Sequence, residues 1–276
     1  MKKLMLGFAM AAAMFASADV ESSNIVGYNA GAVEGVTFVA PSFTKVNGGT
    51  IFKYSDIVVN CDETGGELGW QPLLDSIVIL NENGSFVRKL VYLPQYLADE
   101  VEATKGWYEE NAASDYDFSN CLNDEEIEFG YGVQVSATVG ANATVEFAGE
   151  VKNSPTVIDV ENCIAVGNCA PRILKLSDIV VNCDEEGGEM GWQPLLDAVV
   201  MLNENGSFVR KLVYLPQYLA DEVEASKGWY EENAASDYDF SDCWNDNLNW
   251  SVGEGFQVSA TKGAGATITI KSALAK

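Results

Sequence analysis

Between residues 133 and 147 apolar and polar side chains alternate. Val133, Val135, Val145 and Phe147 fall on one side, with Gln134, Ser136, Thr144 and Glu146 between them. A period of two belongs to a strand with one buried face. Gly140-Ala141-Asn142 separates the two runs, so they are expected to form a hairpin. Ser76 to Leu80 and Ser85 to Tyr92 are two further β-rich runs, and the intervening Asn81-Glu82-Asn83-Gly84 predicts another hairpin turn. Gly35 to Ala40 predicts a strand stopped by Pro41, which cannot donate to a ladder. Only Leu97 to Lys105 has helix-forming composition, enough for one or two turns, before Gly106-Trp107-Tyr108 returns to extended chain. The expectation is an all-β protein of sandwich or partly open barrel type.

The pattern is written twice. Ser55 to Leu122 recurs as Ser177 to Trp244 at a constant offset of 122, and all but eight of the 68 positions are identical. One inserted residue near Gly253 moves the offset to 123, and Val133 to Ala137 then answers to Phe256 to Ala260. The apolar face survives in the second copy as Phe256, Val258, Ile268 and Ile270. Such a duplication dominates the organisation of a chain. Residues 19–152 and 153–276 are expected to be two tandem β domains joined near Lys152 to Thr156, each large enough to bury a core.

Met1-Lys2-Lys3, an apolar run from Leu4 to Phe15 and Ala16-Ser17-Ala18 have the parts of a secretory leader. The run is too short for a membrane helix. Residues 1–18 are therefore expected to be removed, and the remainder to be secreted or extracytoplasmic, with no integral membrane segment. Six cysteines in an oxidising setting read first as disulfides. Each copy carries one matched pair, Cys61/Cys121 and Cys183/Cys243, while Cys163 and Cys169 would close a small loop of their own. A swapped Cys61–Cys183 bridge and a sulfur-rich metal site stay open as alternatives. The formal charge is −25, with no histidine. That charge argues against nucleic acid as a partner, and the missing imidazole removes Ser-His-Asp and Cys-His catalysis.

Asn24-Ile25-Val26-Gly27-Tyr28, the Val36 to Phe43 strand, Gly106-Trp107-Tyr108 and Val145-Glu146-Phe147-Ala148-Gly149-Glu150-Val151 occur in a recognisable order. The first unit resembles a group of secreted, largely uncharacterised bacterial β-rich proteins with a similar opening segment and closing strand. The resemblance implies export and β structure, and it brings no catalytic residue. The second unit lacks the opening motif.

Two constellations carry candidate chemistry. Trp107-Tyr108 and Trp229-Tyr230 recur in matched positions and would suit stacking on sugar rings if exposed; the competing reading is buried aromatic core. Asp115-Tyr116-Asp117 and Asp237-Tyr238-Asp239 place carboxylates at alternate positions, as calcium ligation requires. Asn120 or Asp242 stands where an EF-hand needs its glycine, and the second copy has Leu248 in place of Glu126, so an EF-hand is excluded. Calcium is the cofactor this loop would take, against a solvated acidic loop with Tyr116 and Phe118 turned inward. Asp62 to Glu67 and Asp184 to Glu189 read as flexible turns. The expected function is non-catalytic: a surface or envelope protein in attachment or structure, with a glycan or surface protein as partner. A tandem carbohydrate-binding module is the alternative, and a glycoside hydrolase using paired carboxylates is the remaining enzymatic one.

Overall fold

A computed structural model describes residues 26–45, 48–62, 66, 68–80, 85–152, 154–170, 172–184, 188, 190–203 and 205–271. The leader expected at 1–18 and the turn expected at 81–84 lie outside the described residues.

The first repeat contains β1 (Val26–Val33), β2 (Gly35–Val39), β3 (Ile51–Lys53), β4 (Val58–Val59), β5 (Ser76–Leu80) and β6 (Phe86–Leu93). It continues with α1 (Gln95–Glu100), β7 (Gly106–Glu109), α2 (Glu110–Ser114), β8 (Glu126–Glu128), β9 (Val133–Ala137) and β10 (Ala143–Glu150). The second follows the same order: β11 (Thr156–Val160), β12 (Asn162–Gly167), β13 (Leu174–Lys175), β14 (Ile179–Val181), β15 (Ala198–Leu202) and β16 (Phe208–Leu215). Then come α3 (Gln217–Glu222), β17 (Gly228–Glu231), α4 (Glu232–Ser236), β18 (Asn249–Trp250), β19 (Gly255–Ala260) and β20 (Ala266–Ile270). The fold is all-β, with short helices only.

Each repeat builds three antiparallel sheets of matching topology. The largest has order β2-β9-β5-β6-β7, answered by β12-β19-β15-β16-β17. A three-stranded sheet, β1-β10-β4 or β11-β20-β14, and a two-stranded one, β3-β8 or β13-β18, complete each unit. The β5–β6 hairpin is present, with a register shift between Ile79 and Leu80. β9 and β10, however, are not partners. β9 pairs with β2 and β5, whereas β10 pairs with β1 and β4. The chain arches between sheets through 138–142, where Gly140 (φ 80°) and Asn142 (φ 58°) take left-handed conformations. Alternation fixes which side chains turn inward, and Val133, Val135, Val145 and Phe147 are indeed buried. It does not fix the neighbouring strand, and an arch satisfies it as well as a hairpin.

Each large sheet packs against the main core on one face and, over part of its other face, against short helices. Leu90 and Trp107 face the main core, while Val91, Leu93 and Tyr108 pack with Ala98 of α1 and Ala113 of α2. The main core runs through both repeats as one contiguous cluster, from Phe52, Trp70 and Phe147 to Leu174, Trp192 and Ile268. The join is a pseudo-twofold one, in which equivalent strand ends exchange equivalent contacts. Val39 bridges Glu254, and Ala40 N donates to Gly253 O at 3.0 Å. In return Val166 bridges Tyr131, and Gly167 N donates to Gly130 O at 3.1 Å. Interdigitated backbone of this kind buries apolar surface that either repeat alone would expose to water.

Candidate functional site

Trp107 is placed by β7 on the core face of its sheet and is 0% exposed. Its ring edge meets Trp70 at 5.6 Å between centroids, and its Nε1 donates to Tyr54 O at 3.0 Å. Trp229 repeats the arrangement against Trp192, also at 5.6 Å. Tyr108 and Tyr230 lie on the opposite face beneath the short helices, buried, with hydroxyls donating to Thr104 O and Ser226 O at 2.6 Å. Burial, with the neighbouring Cys121 or Cys243, pushes both phenols up to about 12. These four residues are core, and the stacking platform assigned to them is corrected: a sugar ring needs an exposed aromatic face, and theirs are covered.

Asp115, Asp117, Asp237 and Asp239 remain on exposed loops just after α2 and α4. Asp117 and Asp239 each accept from the backbone N–H two residues on, Ser119 and Ser241, at 3.1 Å. The Ser119 and Ser241 hydrogen bonds hold both carboxyls below the usual range. No cluster of three or more metal-ligating side chains occurs among the described residues. Phe118 does turn inward, 5.2 Å from Tyr108, but Tyr116 does not. Tyr116 and Tyr238 are each 80% exposed, with φ 59° and 57°.

The disulfides are corrected too. Cys121, Cys163, Cys169 and Cys243 are free thiols, so none of the pairings Cys61/Cys121, Cys183/Cys243 and Cys163/Cys169 is bridged. Cys61 packs against the main core, while Cys121 packs with Tyr108 and Phe118 in the satellite cluster on the other face of the sheet. Cys183 and Cys243 are divided in the same way. Cys163 lies early in β12, and the extended strand carries the chain away from it before Cys169. A disulfide needs Cα atoms within about 7 Å.

Two buried aspartates escaped the sequence reading. Asp75, 1% exposed, accepts from Gln71 N at 2.8 Å, from Thr138 N at 2.8 Å and from Thr138 Oγ1 at 2.7 Å. Asp197 does the same with Gln193 and Thr261. They tie the start of each arch to the loop before β5 or β15, and so fix the sheets that line a groove.

That groove crosses the pseudo-dyad between the two large sheets. At its centre Val78, Leu80 and Phe86 meet their counterparts Val200, Leu202 and Phe208 around a depression of about 550 Å³. Phe86 and Phe208 flank it at 61% and 60% exposure. Val78, Leu80 and Gln134 also line a wing of about 500 Å³ that opens between β9 and β12. The pseudo-equivalent wing, between β19 and β2, measures only about 130 Å³.

No family model, curated protein or solved structure matches this chain.

Proposed function

We propose that the chain is a non-catalytic binding protein working outside the cytoplasm, in attachment or in the architecture of the cell envelope. The observation that carries this reading is the convergence of Phe86 and Phe208 on one groove. Both copies direct an exposed phenylalanine to a shared surface, and contiguous exposed apolar patches mark interaction sites. The acidic composition supports it, because a high net charge keeps such a surface soluble. The leader-like opening sequence agrees with export. Among the described residues no helix is long and apolar enough to cross a membrane. Cosedimentation of purified protein with envelope fragments of the producing cell tests the reading. Phe86→Ser with Phe208→Ser should reduce binding about tenfold with the fold intact. Unchanged cosedimentation, or none by the parent chain, would retire it.

A second reading rests on Tyr116 and Tyr238. Exposed rings beside carboxylates suit a sugar's C–H face and hydroxyls, with calcium assistance through Asp115, Asp117, Asp237 and Asp239. A glycan array with and without calcium tests it, using Tyr116→Ala with Tyr238→Ala. Signal that ignores this change would count against it.

A further inference from the structure

We propose that the open wing of the groove is a binding site for a small organic cation, an ammonium or guanidinium group carried on an apolar body. This stands apart from the attachment reading, which uses the centre of the groove.

The protein contains its own control, because duplication made the cleft twice and only one copy is filled. Strand register sets the correspondence. Phe52 pairs with Ile127 where Leu174 pairs with Trp250, and Phe38 pairs with Gln134 where Ala165 pairs with Gln257. The closed wing therefore carries Trp250, Phe256 and Phe38 where the open wing carries Ile127, Val133 and Ala165. Trp250 and Phe256 stack at 4.4 Å and, with Phe38, are buried. Three larger side chains account for the lost volume. Since the closed copy shows that this backbone accepts them, the smaller residues of the open copy are not imposed by the fold.

The rims differ in charge as well. Glu126, Glu128 and Glu161 line the open wing. By strand register Asn249 and Ser251 stand at the positions of the first two in the other repeat, while Glu161 answers to Glu34 and Glu254 lines the closed wing. Lys53, beside Glu126 in the register, is held by Asp124 at 2.6 Å. Val78, Leu80 and Ile164 form apolar walls, with Gln134 offering an amide. A cleft of about 500 Å³ is in the usual range for small ligands. Apolar walls favour a hydrocarbon body, and three carboxylates at the mouth favour a cation over an anion. Burial pushes the Tyr131 hydroxyl up, with Glu128 and Asp159 adding to the effect.

The test is an NMR titration of the full chain with phenethylammonium, using 2-phenylethanol and 3-phenylpropionate as neutral and anionic analogues. The expected result is saturable shifts at Gln134, Ile164 and Ala165, with the amine binding about tenfold tighter than the alcohol and the carboxylate weakest. Val133→Phe with Ala165→Phe should abolish the shifts. Glu126→Gln with Glu128→Gln and Glu161→Gln, all at exposed positions, should bring the amine down to the alcohol's affinity, and remains informative if the filled variant fails to fold. Equal binding of amine and carboxylate, or no saturable shift at the cleft, would overturn the proposal.

Discussion

Ala40 and Gly167 face each other across the pseudo-dyad, and they are each other's counterparts in the two repeats. A Cβ built on Gly167 would lie 1.8 Å from the Cβ of Ala40. Only one of two equivalent positions can therefore carry a side chain where the repeats touch. The identity between copies has to fail at this point, because a residue on a twofold axis meets itself.

Gly167→Ala is accordingly expected to lower stability by about 1–3 kcal/mol through overpacking. Ala40→Gly combined with Gly167→Ala moves the methyl group across the axis and should recover most of that loss. Urea denaturation of the two single variants and the double variant measures the coupling. Additive losses would show that the residues do not meet.

Removing the Asp75 carboxylate strands the Gln71 and Thr138 backbone N–H groups that it accepts from. Asp75→Ala should cost at least about 2 kcal/mol, and Asp197→Ala a similar amount. A denaturation midpoint unmoved by either change would mean that the arches are held by other contacts.

Trp107→Ala and Trp229→Ala should destabilise the protein by about 3–5 kcal/mol, because both rings are buried against a second tryptophan. Near-ultraviolet circular dichroism and thermal melting would register the loss with no ligand present. Variants with parental melting temperatures would contradict the core assignment.

Intact mass after alkylation under denaturing, non-reducing conditions should show Cys121, Cys163, Cys169 and Cys243 labelled. In the native protein Cys169 should react last, since it is 4% exposed and burial pushes its thiol up to about 11. The folded thiol holds its proton more tightly than the unfolded one, whose ordinary value is about 8.5. Its contribution to stability is thus complete below that value and falls away as pH rises toward 11. Cys169→Ala should flatten the alkaline limb of the stability profile.

Local structure was largely legible in the chain. The alternation at Val133 to Phe147 identified the buried face, and Pro41 marked the end of a strand correctly. Strand partners were not legible, because a two-residue period states orientation and is silent about neighbours. The tryptophans misled in a similar way: Trp107 beside Tyr108 reads as a pair on one surface, yet adjacent residues in β7 point to opposite faces, and both faces are covered. Asp75 lay inside the identical block, where nothing set it apart from the other carboxylates; its importance depends on Thr138, 63 residues away. The clefts depended on contacts between repeats. Their one sequence signal was the set of aromatic replacements Ile127/Trp250, Val133/Phe256 and Ala165/Phe38, which becomes readable only with strand register.

Scanning calorimetry of the intact chain bears most directly on the claim that the two repeats form one cooperative body around a shared core. A single transition is predicted, with calorimetric and van't Hoff enthalpies equal. Two resolved transitions, or a van't Hoff enthalpy near half the calorimetric one, would contradict it.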